Sequence, residues 1–290
     1  MLPTAIAAGC DLFLFFNDPE EDFMWMMEGY KKGIITEQRL EEALTRILGL
    51  KASLGLHAKA KTEILQPKEV AMAKMRTEKN MAIAAEISDK AITLVKNKQE
   101  LLPINPEKNK KVLLVEVKGP ESAYGKLMAA MTAGKKKPIE LMKELLEKAG
   151  FEVEIYESPI DKLMKLPPQE MMGAIMNVYA QKRPIAELTG NYDLIINIAD
   201  VAPTTDQRIQ WAPLKGTPDI PFYVNEVPTI FISLQCPFHL ADVPQVKTYI
   251  NAYDSHDHTV TAIVDKLLGR SEFKGVSPVD AYCGFIDTHM

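Results

Sequence analysis

Apolar residues fall along this chain in two recurring patterns. Short, predominantly apolar stretches at 111–117, 151–156, 192–199, 229–234 and 248–252 read as strands. Between them lie stretches with helical spacing. Residues 138–149 form an amphipathic helix closed by Gly150, residues 168–181 look helical and methionine-rich, and 259–268 is a helix stopped by Gly269. Strands alternating with helices predict a βαβ sheet with both faces covered. The same reading applies at the start of the chain. Ala7-Ala8-Gly9-Cys10 turns into an apolar strand over 11–16, of the kind buried on both faces in a parallel sheet or barrel. Asn17-Asp18-Pro19 caps a helix that runs to about Lys32 and stops at Gly33. Thr36 opens another, with Glu37 in its first turn and Leu40, Ala43, Leu44, Ile47, Leu48 and Leu54 on one face; Gly55 ends it. Residues 57–79 are polar and lysine-rich around Pro67, with a helical stretch over 67–75. Asn80 then caps a helix with Ile83, Ala84 and Ile87 inward, leading into a strand at 91–97.

Two stretches carry a resemblance. Gly33-Ile34-Ile35-Thr36-Glu37-Gln38-Arg39-Leu40, followed by Arg46-Ile47-Leu48-Gly49-Leu50-Lys51-Ala52-Ser53-Leu54-Gly55-Leu56, resembles the end of the catalytic barrel of glycoside hydrolase family 3, as does the Ala-Gly-Cys-Asp strand before them. Ala91-Ile92-Thr93-Leu94-Val95-Lys96-Asn97, then Leu101-Leu102-Pro103-Ile104, resembles the opening of that family's second domain. The tail is similar too: 227–240 resembles a strand with an Asn-Pro-Tyr-x-Leu turn, and 251–269 the penultimate strand and helix. Gly275-Val276-Ser277-Pro278-Val279 departs from the Gly-Lys/Arg-Leu-Pro-Val of many members and leaves the subfamily open. The resemblance implies an α/β sandwich with a mostly parallel sheet, preceded by the last strand and helices of a (β/α)8 barrel. Its boundaries are a barrel remnant at 1–56, a linker at 57–79 and the α/β sandwich at 80–290.

Composition narrows the rest. Apolar content of 47%, charged content of 25% and a net charge of −5 suit a soluble globular protein and exclude a basic nucleic-acid footprint. Cys10, Cys236 and Cys283 have neither zinc nor redox spacing, and an odd number argues against a disulfide framework, which fits a reducing, cytoplasmic setting. Ala7-Ala8-Gly9-Cys10 looks like a lipoprotein box, but Met1 to Ala8 hold no positive charge and the apolar run follows the cysteine. No apolar run is long enough to span a membrane. The fifteen methionines, with Met24, Met26 and Met27 beside Trp25, read as core or interface rather than a cofactor box.

The chemistry is sparse. Asp254-Ser255-His256-Asp257-His258 packs two imidazoles and two carboxylates into five residues. Asp254 and His256 are candidate substrate contacts or an acid/base pair; the plainer reading is a polar loop in which Ser255 or Asp257 caps the next helix. Metal spacing is poor there. The long stretch after the strand at 192–199 carries Arg208, Trp211 and Lys215, at the end of a strand where open α/β sheets bind ligands. Trp211 suits stacking on a sugar face and Arg208 suits its hydroxyls, against packing at an interface. Glu226 precedes a strand, the wrong end for such a site, and His239 packs or caps near its strand end. Lys118-Gly119-Pro120-Glu121 offers acid and proline where a phosphate loop needs amide donors, so a flavodoxin-like cofactor binder is disfavoured.

The resemblance implies a retaining glycosidase similar to β-N-acetylhexosaminidases, acting on terminal β-linked sugars in the intact enzyme. It places the nucleophilic aspartate, and in the closest group a histidine–aspartate acid/base pair, upstream of Met1. No catalytic residue is therefore expected in this chain, which should be inactive alone, and no metal or cofactor is expected. Expected partners are a carbohydrate in the intact enzyme, with neither nucleic acid nor membrane, and a second copy through the exposed barrel remnant. Residues 11–16 should dock on the α/β domain or on that copy, or be poorly ordered. The alternative is a non-catalytic module that binds carbohydrate or protein.

Overall fold

A computed structural model describes residues 1–117, 136–158, 162–163, 166–167, 169–171, 173–174, 184–201, 209, 218, 220–282 and 284. The chain divides into two compact units, Met1–Thr77 and Glu78–Met290.

The second unit is built on a six-stranded sheet. Its strands are β1 Thr93–Asn97, β2 Lys111–Val117, β3 Glu152–Ile155, β4 Leu194–Ala199, β5 Thr229–Ser233 and β6 Thr248–Asn251, in the spatial order β1-β6-β5-β4-β2-β3. All neighbours are parallel except β1, which runs antiparallel to β6 with a bulge between Leu94 and Lys96. The apolar character of these stretches has its cause here. On β2, Val112 and Leu114 enter one core with Ile196, Ile230, Met142 and Ile263, while Leu113 and Val115 enter another with Ile195, Leu188 and Tyr223. Successive side chains point to opposite faces, so a strand covered on both is apolar at most positions, and a polar exception such as Asn197 is paired, here with the Tyr223 hydroxyl at 3.1 Å.

The first of these cores is closed by helices over Pro138–Lys148 and Asp257–Leu267, each ending one residue short of the expected span. A third cluster sits beside β5 and β6, where the Phe231 and Tyr249 rings stack 5.6 Å apart. The helix over Glu78–Ala91 differs from expectation. It starts before Asn80, so Asn80 is inside it, and Ile83 and Ile87 are exposed while Ser88 is the buried residue. Its fixed contacts are polar: Ser88 meets Thr259 at 2.9 Å, and Asp89 meets Lys266 at 3.1 Å.

Lys266 is a buried cation with all of its donors engaged. Besides Asp89 it donates to Ser271 Oγ at 3.2 Å and to the Glu272 carbonyl at 2.6 Å, with the Phe273 ring 5.6 Å away. A buried ammonium is tolerated only with such partners. The Ser271 hydroxyl and this ammonium hold the Asp89 carboxyl below its usual range against burial. The network fixes the chain beyond the helix, so that Gly275 passes tightly over the start of β1.

The first unit is helical: Leu2–Ala7, Pro19–Lys31, Glu37–Ser53, Lys61–Ile64 and Lys68–Met75. The last two fall in the stretch read as linker, and the first was not expected. Asp18 caps the second helix by accepting from the Glu20 and Glu21 amides, and Thr36 caps the third by accepting from the Arg39 amide at 3.2 Å. The strand expected over 11–16 is absent. The cause is the lack of a neighbour: the described residues of this unit contain no strand, and a parallel strand cannot exist without one. The face of the third helix is likewise left open, with Ala43 buried but Leu44, Leu48 and Leu54 exposed. Asp11 is nonetheless anchored. It receives the Arg39 guanidinium and, at 3.1 Å, Arg46, while Arg39 Nε donates to the Ile6 carbonyl at 2.9 Å. The hydrogen bond from Arg39 leads in holding the Asp11 carboxyl below its usual range.

A Cβ on Gly275 would lie 2.5 Å from the Ala91 carbonyl oxygen and 2.8 Å from that of Ile92. Gly275→Ala should therefore destabilise the protein by about 1–3 kcal/mol, since the clash is with backbone. Gly190→Ala, whose Cβ would meet nothing within 4 Å, should be neutral or slightly stabilising. Urea melts of both variants beside the parent chain check the contrast.

Candidate functional site

β5 and β6 end in buried polar residues, Ser233 and Asn251. Asp254 follows β6 and is the centre of a chain of hydrogen bonds. Its Oδ1 lies 2.5 Å from His256 Nδ1; its Oδ2 accepts from Thr259 Oγ1 at 2.7 Å and from the His256 amide at 3.3 Å. Thr259 donates its one proton to Asp254, so in its 2.9 Å contact with Ser88 it accepts. The Ser88 proton, the Thr259 proton and the carboxylate thus form one directed series. Burial opposes ionisation of Asp254, but the Thr259 and His256 hydrogen bonds outweigh it and hold the carboxyl below its usual value.

Asp254 fixes the ring of His256. A carboxylate facing Nδ1 keeps the proton on that nitrogen, leaving Nε2 as acceptor in the neutral ring. The His256 side chain is 75% exposed. The His258 ring stacks on it at 5.6 Å, with its Nε2 3.5 Å from Asp254 Oδ2. The helix that follows has His256 itself as its N-cap, with no side-chain cap bond. Neither Ser255 nor Asp257 performs the capping expected of them, because Asp254 has already organised the turn through Thr259. Among the described residues, no three His, Cys, Asp or Glu side chains are arranged to hold a metal ion.

A second polar group is buried. Ser233, at the end of β5, donates to the Cys236 carbonyl at 2.6 Å and meets His239 Nδ1 at 2.8 Å, and His239 has no exposed surface. Ser233 has one proton and gives it to a carbonyl, which can only accept. His239 therefore donates to Ser233, and the serine is no nucleophile. Asn251 donates to the Pro237 carbonyl at 3.3 Å. Burial pushes the phenol of neighbouring Tyr249 well above its usual range. His239 was expected to pack near its strand end; Ser233 and Asn251 escaped notice, although a serine or asparagine closing an apolar strand run is a signal of this kind.

Arg208 and Trp211 lie outside the described residues, as do Lys118 to Ser122 and most of 168–181. Glu226 is exposed at the amino end of β5. Beside β1, an open groove of about 430 Å³ runs between Leu94, Val95 and Leu240 on one side and Val276, Ser277 and Val279 on the other. No helix among the described residues is long and apolar enough to cross a membrane.

Asp254→Asn should cost about 1–3 kcal/mol at neutral pH, through the loss of charge-assisted hydrogen bonds. The sign follows from the lowered carboxyl. Its contribution is present above the unfolded value of 3.8 and fades as pH falls below that value through the lower folded one. Chemical denaturation of parent and variant should differ most above about pH 5 and converge toward pH 2.

No family model matches the chain. A beta-N-acetylglucosaminidase/beta-glucosidase of Cellulomonas fimi is 37% identical over 292 residues, covering 100% of this chain and 47% of its own. Among solved structures, beta-glucoside phosphorylase BglX superposes with a TM-score of 0.68 at 37% identity, covering 99% of this chain and 46% of that one. The glycoside hydrolase family 3 beta-N-acetylglucosaminidase from Paenibacillus sp. str. FPU-7 shares the fold at a TM-score of 0.54 and 22% identity, over 96% of this chain and 46% of its own. The chain spans about half the length of the relatives it matches. The chain is similar to the carboxyl-terminal portion of glycoside hydrolase family 3 enzymes.

Proposed function

We propose that this chain is the carboxyl-terminal part of a retaining enzyme that cleaves terminal β-linked glucosides or N-acetylglucosaminides. The observation that carries this is the 37% identity to such enzymes, sustained over the full 290 residues. In a retaining mechanism a carboxylate attacks the sugar and a second group protonates the departing oxygen; an acceptor then releases the covalent sugar. Both catalytic groups are supplied by polypeptide other than these residues. The first unit, which resembles the end of the catalytic barrel, contributes no strand among its described residues.

The role left to this chain is support and substrate contact. Arg208 and Trp211 follow β4 at its carboxyl end in sequence, where open α/β sheets present ligand-binding loops. An indole stacks on the apolar face of a pyranose, and a guanidinium donates to its hydroxyls. Asp254 and His256 stand at the corresponding end of β6. Their geometry supports a hydroxyl-binding pair, in which Asp254 holds the imidazole and Nε2 accepts from a sugar hydroxyl. The likeness to a beta-glucoside phosphorylase favours one further reading, in which phosphate rather than water is the acceptor in the complete enzyme.

The test is release of aryl alcohol from aryl β-glucoside and aryl β-N-acetylglucosaminide, each with and without inorganic phosphate. The 290-residue chain alone should show no turnover above buffer. Turnover that survives purification and is lost in Asp254→Asn or His256→Gln would place the chemistry within this chain and end the proposal.

A further inference from the structure

Beside the groove along β1 lies a second, shallow cavity of about 430 Å³, and the two share Gly275, Val276 and Pro278 in their linings. Lys90, Ala91, Tyr253 and Lys274 complete the lining of the second. The strap of chain between them is fixed on both sides. Lys266 donates to the Glu272 carbonyl at 2.6 Å, and the Tyr282 hydroxyl donates to the Leu240 carbonyl at 3.0 Å. A lining held in this way is set before a ligand arrives, which lowers the cost of binding.

The second cavity combines an aromatic wall with one uncompensated cation. Tyr253 sits at a φ of 63°, in the left-handed region where glycine or asparagine is at ease and an aromatic residue is strained. Its hydroxyl donates to Thr93 Oγ1 at 3.2 Å, and its ring forms part of the lining. Val276, in the same lining, is 86% exposed, and Pro278 is exposed too. Of the two lysines, Lys90 is bound to Glu86 at 2.5 Å. Lys274 is exposed and has no carboxylate at salt-bridge distance among the described residues, since Asp89 is engaged by Lys266 and Ser271.

We propose that this cavity binds a small aromatic carboxylate, its ring against Tyr253, Val276 and Pro278 and its anion on the Lys274 ammonium. The ring covers apolar surface that is otherwise wet, and its presence beside the ammonium lowers the local dielectric in which the two charges meet. A neutral sugar suits the lining less. It has no charge for Lys274, the Ala91 carbonyl already accepts from Thr93, and the Tyr253 proton is given to Thr93. A peptide added along the edge of β1 meets the bulge between Leu94 and Lys96. The site needs neither Asp254 nor His256, so it stands whether or not the proposed function holds.

The test is an amide NMR titration of the 290-residue chain with p-toluate. Saturable shifts are expected at Tyr253, Lys274 and Val276. The uncharged p-toluamide, ringless acetate and the neutral sugar methyl β-glucoside should each bind about tenfold more weakly or worse. Lys274→Gln and Val276→Asp, both at exposed positions and so compatible with folding, should weaken p-toluate about tenfold. Tyr253→Gly removes the ring and relieves the left-handed strain, so affinity should fall while the urea midpoint holds or rises. Three results would overturn the proposal: no saturable shift at these residues, p-toluamide or the glucoside binding there as tightly as p-toluate, or an affinity that neither Lys274→Gln nor Val276→Asp changes. Should Tyr253→Gly fail to fold, the two exposed variants decide.

Discussion

A parallel strand finds no partner through its own turn. Its neighbours arrive from elsewhere in the chain by way of a crossover, and its two faces must be covered by the helices of those crossovers. Everything in this protein divides according to whether that condition is met. In the second unit it is met several times over. β2 lies between β3 and β4, and β4 between β2 and β5, with helices closing the core that Val112 and Leu114 share with Ile196 and Ile230. In the first unit it is not met. An equally apolar run, 12–16, forms no strand, and Leu12, Leu14, Phe15 and Phe16 stay exposed.

The contrast explains what could be read from the residues in order. Apolar runs located β2, β4, β5 and β6 to within one or two residues, because those runs are long-range requirements written locally. Caps at Asp18 and Thr36 were equally legible, since the donors they satisfy lie within three residues. The run at 12–16 was misread for the converse reason: the pattern states what cover a strand needs, and the described first unit does not supply it. Ile83 and Ile87 fail similarly, on a helix whose firm contacts turned out to be polar, through Ser88 and Asp89.

The candidate site was legible as a location and opaque as a mechanism. The clustering of Asp254, His256 and His258 is visible in five residues. What orients Asp254 is not, because the series begins at Ser88, which lies 171 positions before Thr259. Helix pairing alone brings the two hydroxyls together. The expected caps, Ser255 and Asp257, were sensible choices by residue type, yet the carboxylate of Asp254, one and three residues earlier, had already taken the bonds that shape the turn. Ser233 and His239 show the same limit at closer range, since the direction of their proton is set by a carbonyl that no residue pattern reveals.

Likeness to the relatives and foldable unit therefore have different boundaries here. Identity to the relatives runs without a break through both units, covering 99–100% of this chain. The physical requirements change abruptly at Thr77. Beyond it, the charge on Lys266, the tight passage of Gly275 and the directed bonds at Asp254 are all satisfied inside one unit. Before it, Asp11 and the helix caps are satisfied internally, while Leu14, Phe15, Leu44, Leu48 and Leu54 are exposed. The polar clamp on Asp11 is the exception, because two guanidinium groups hold the base of that exposed apolar segment in place from the third helix.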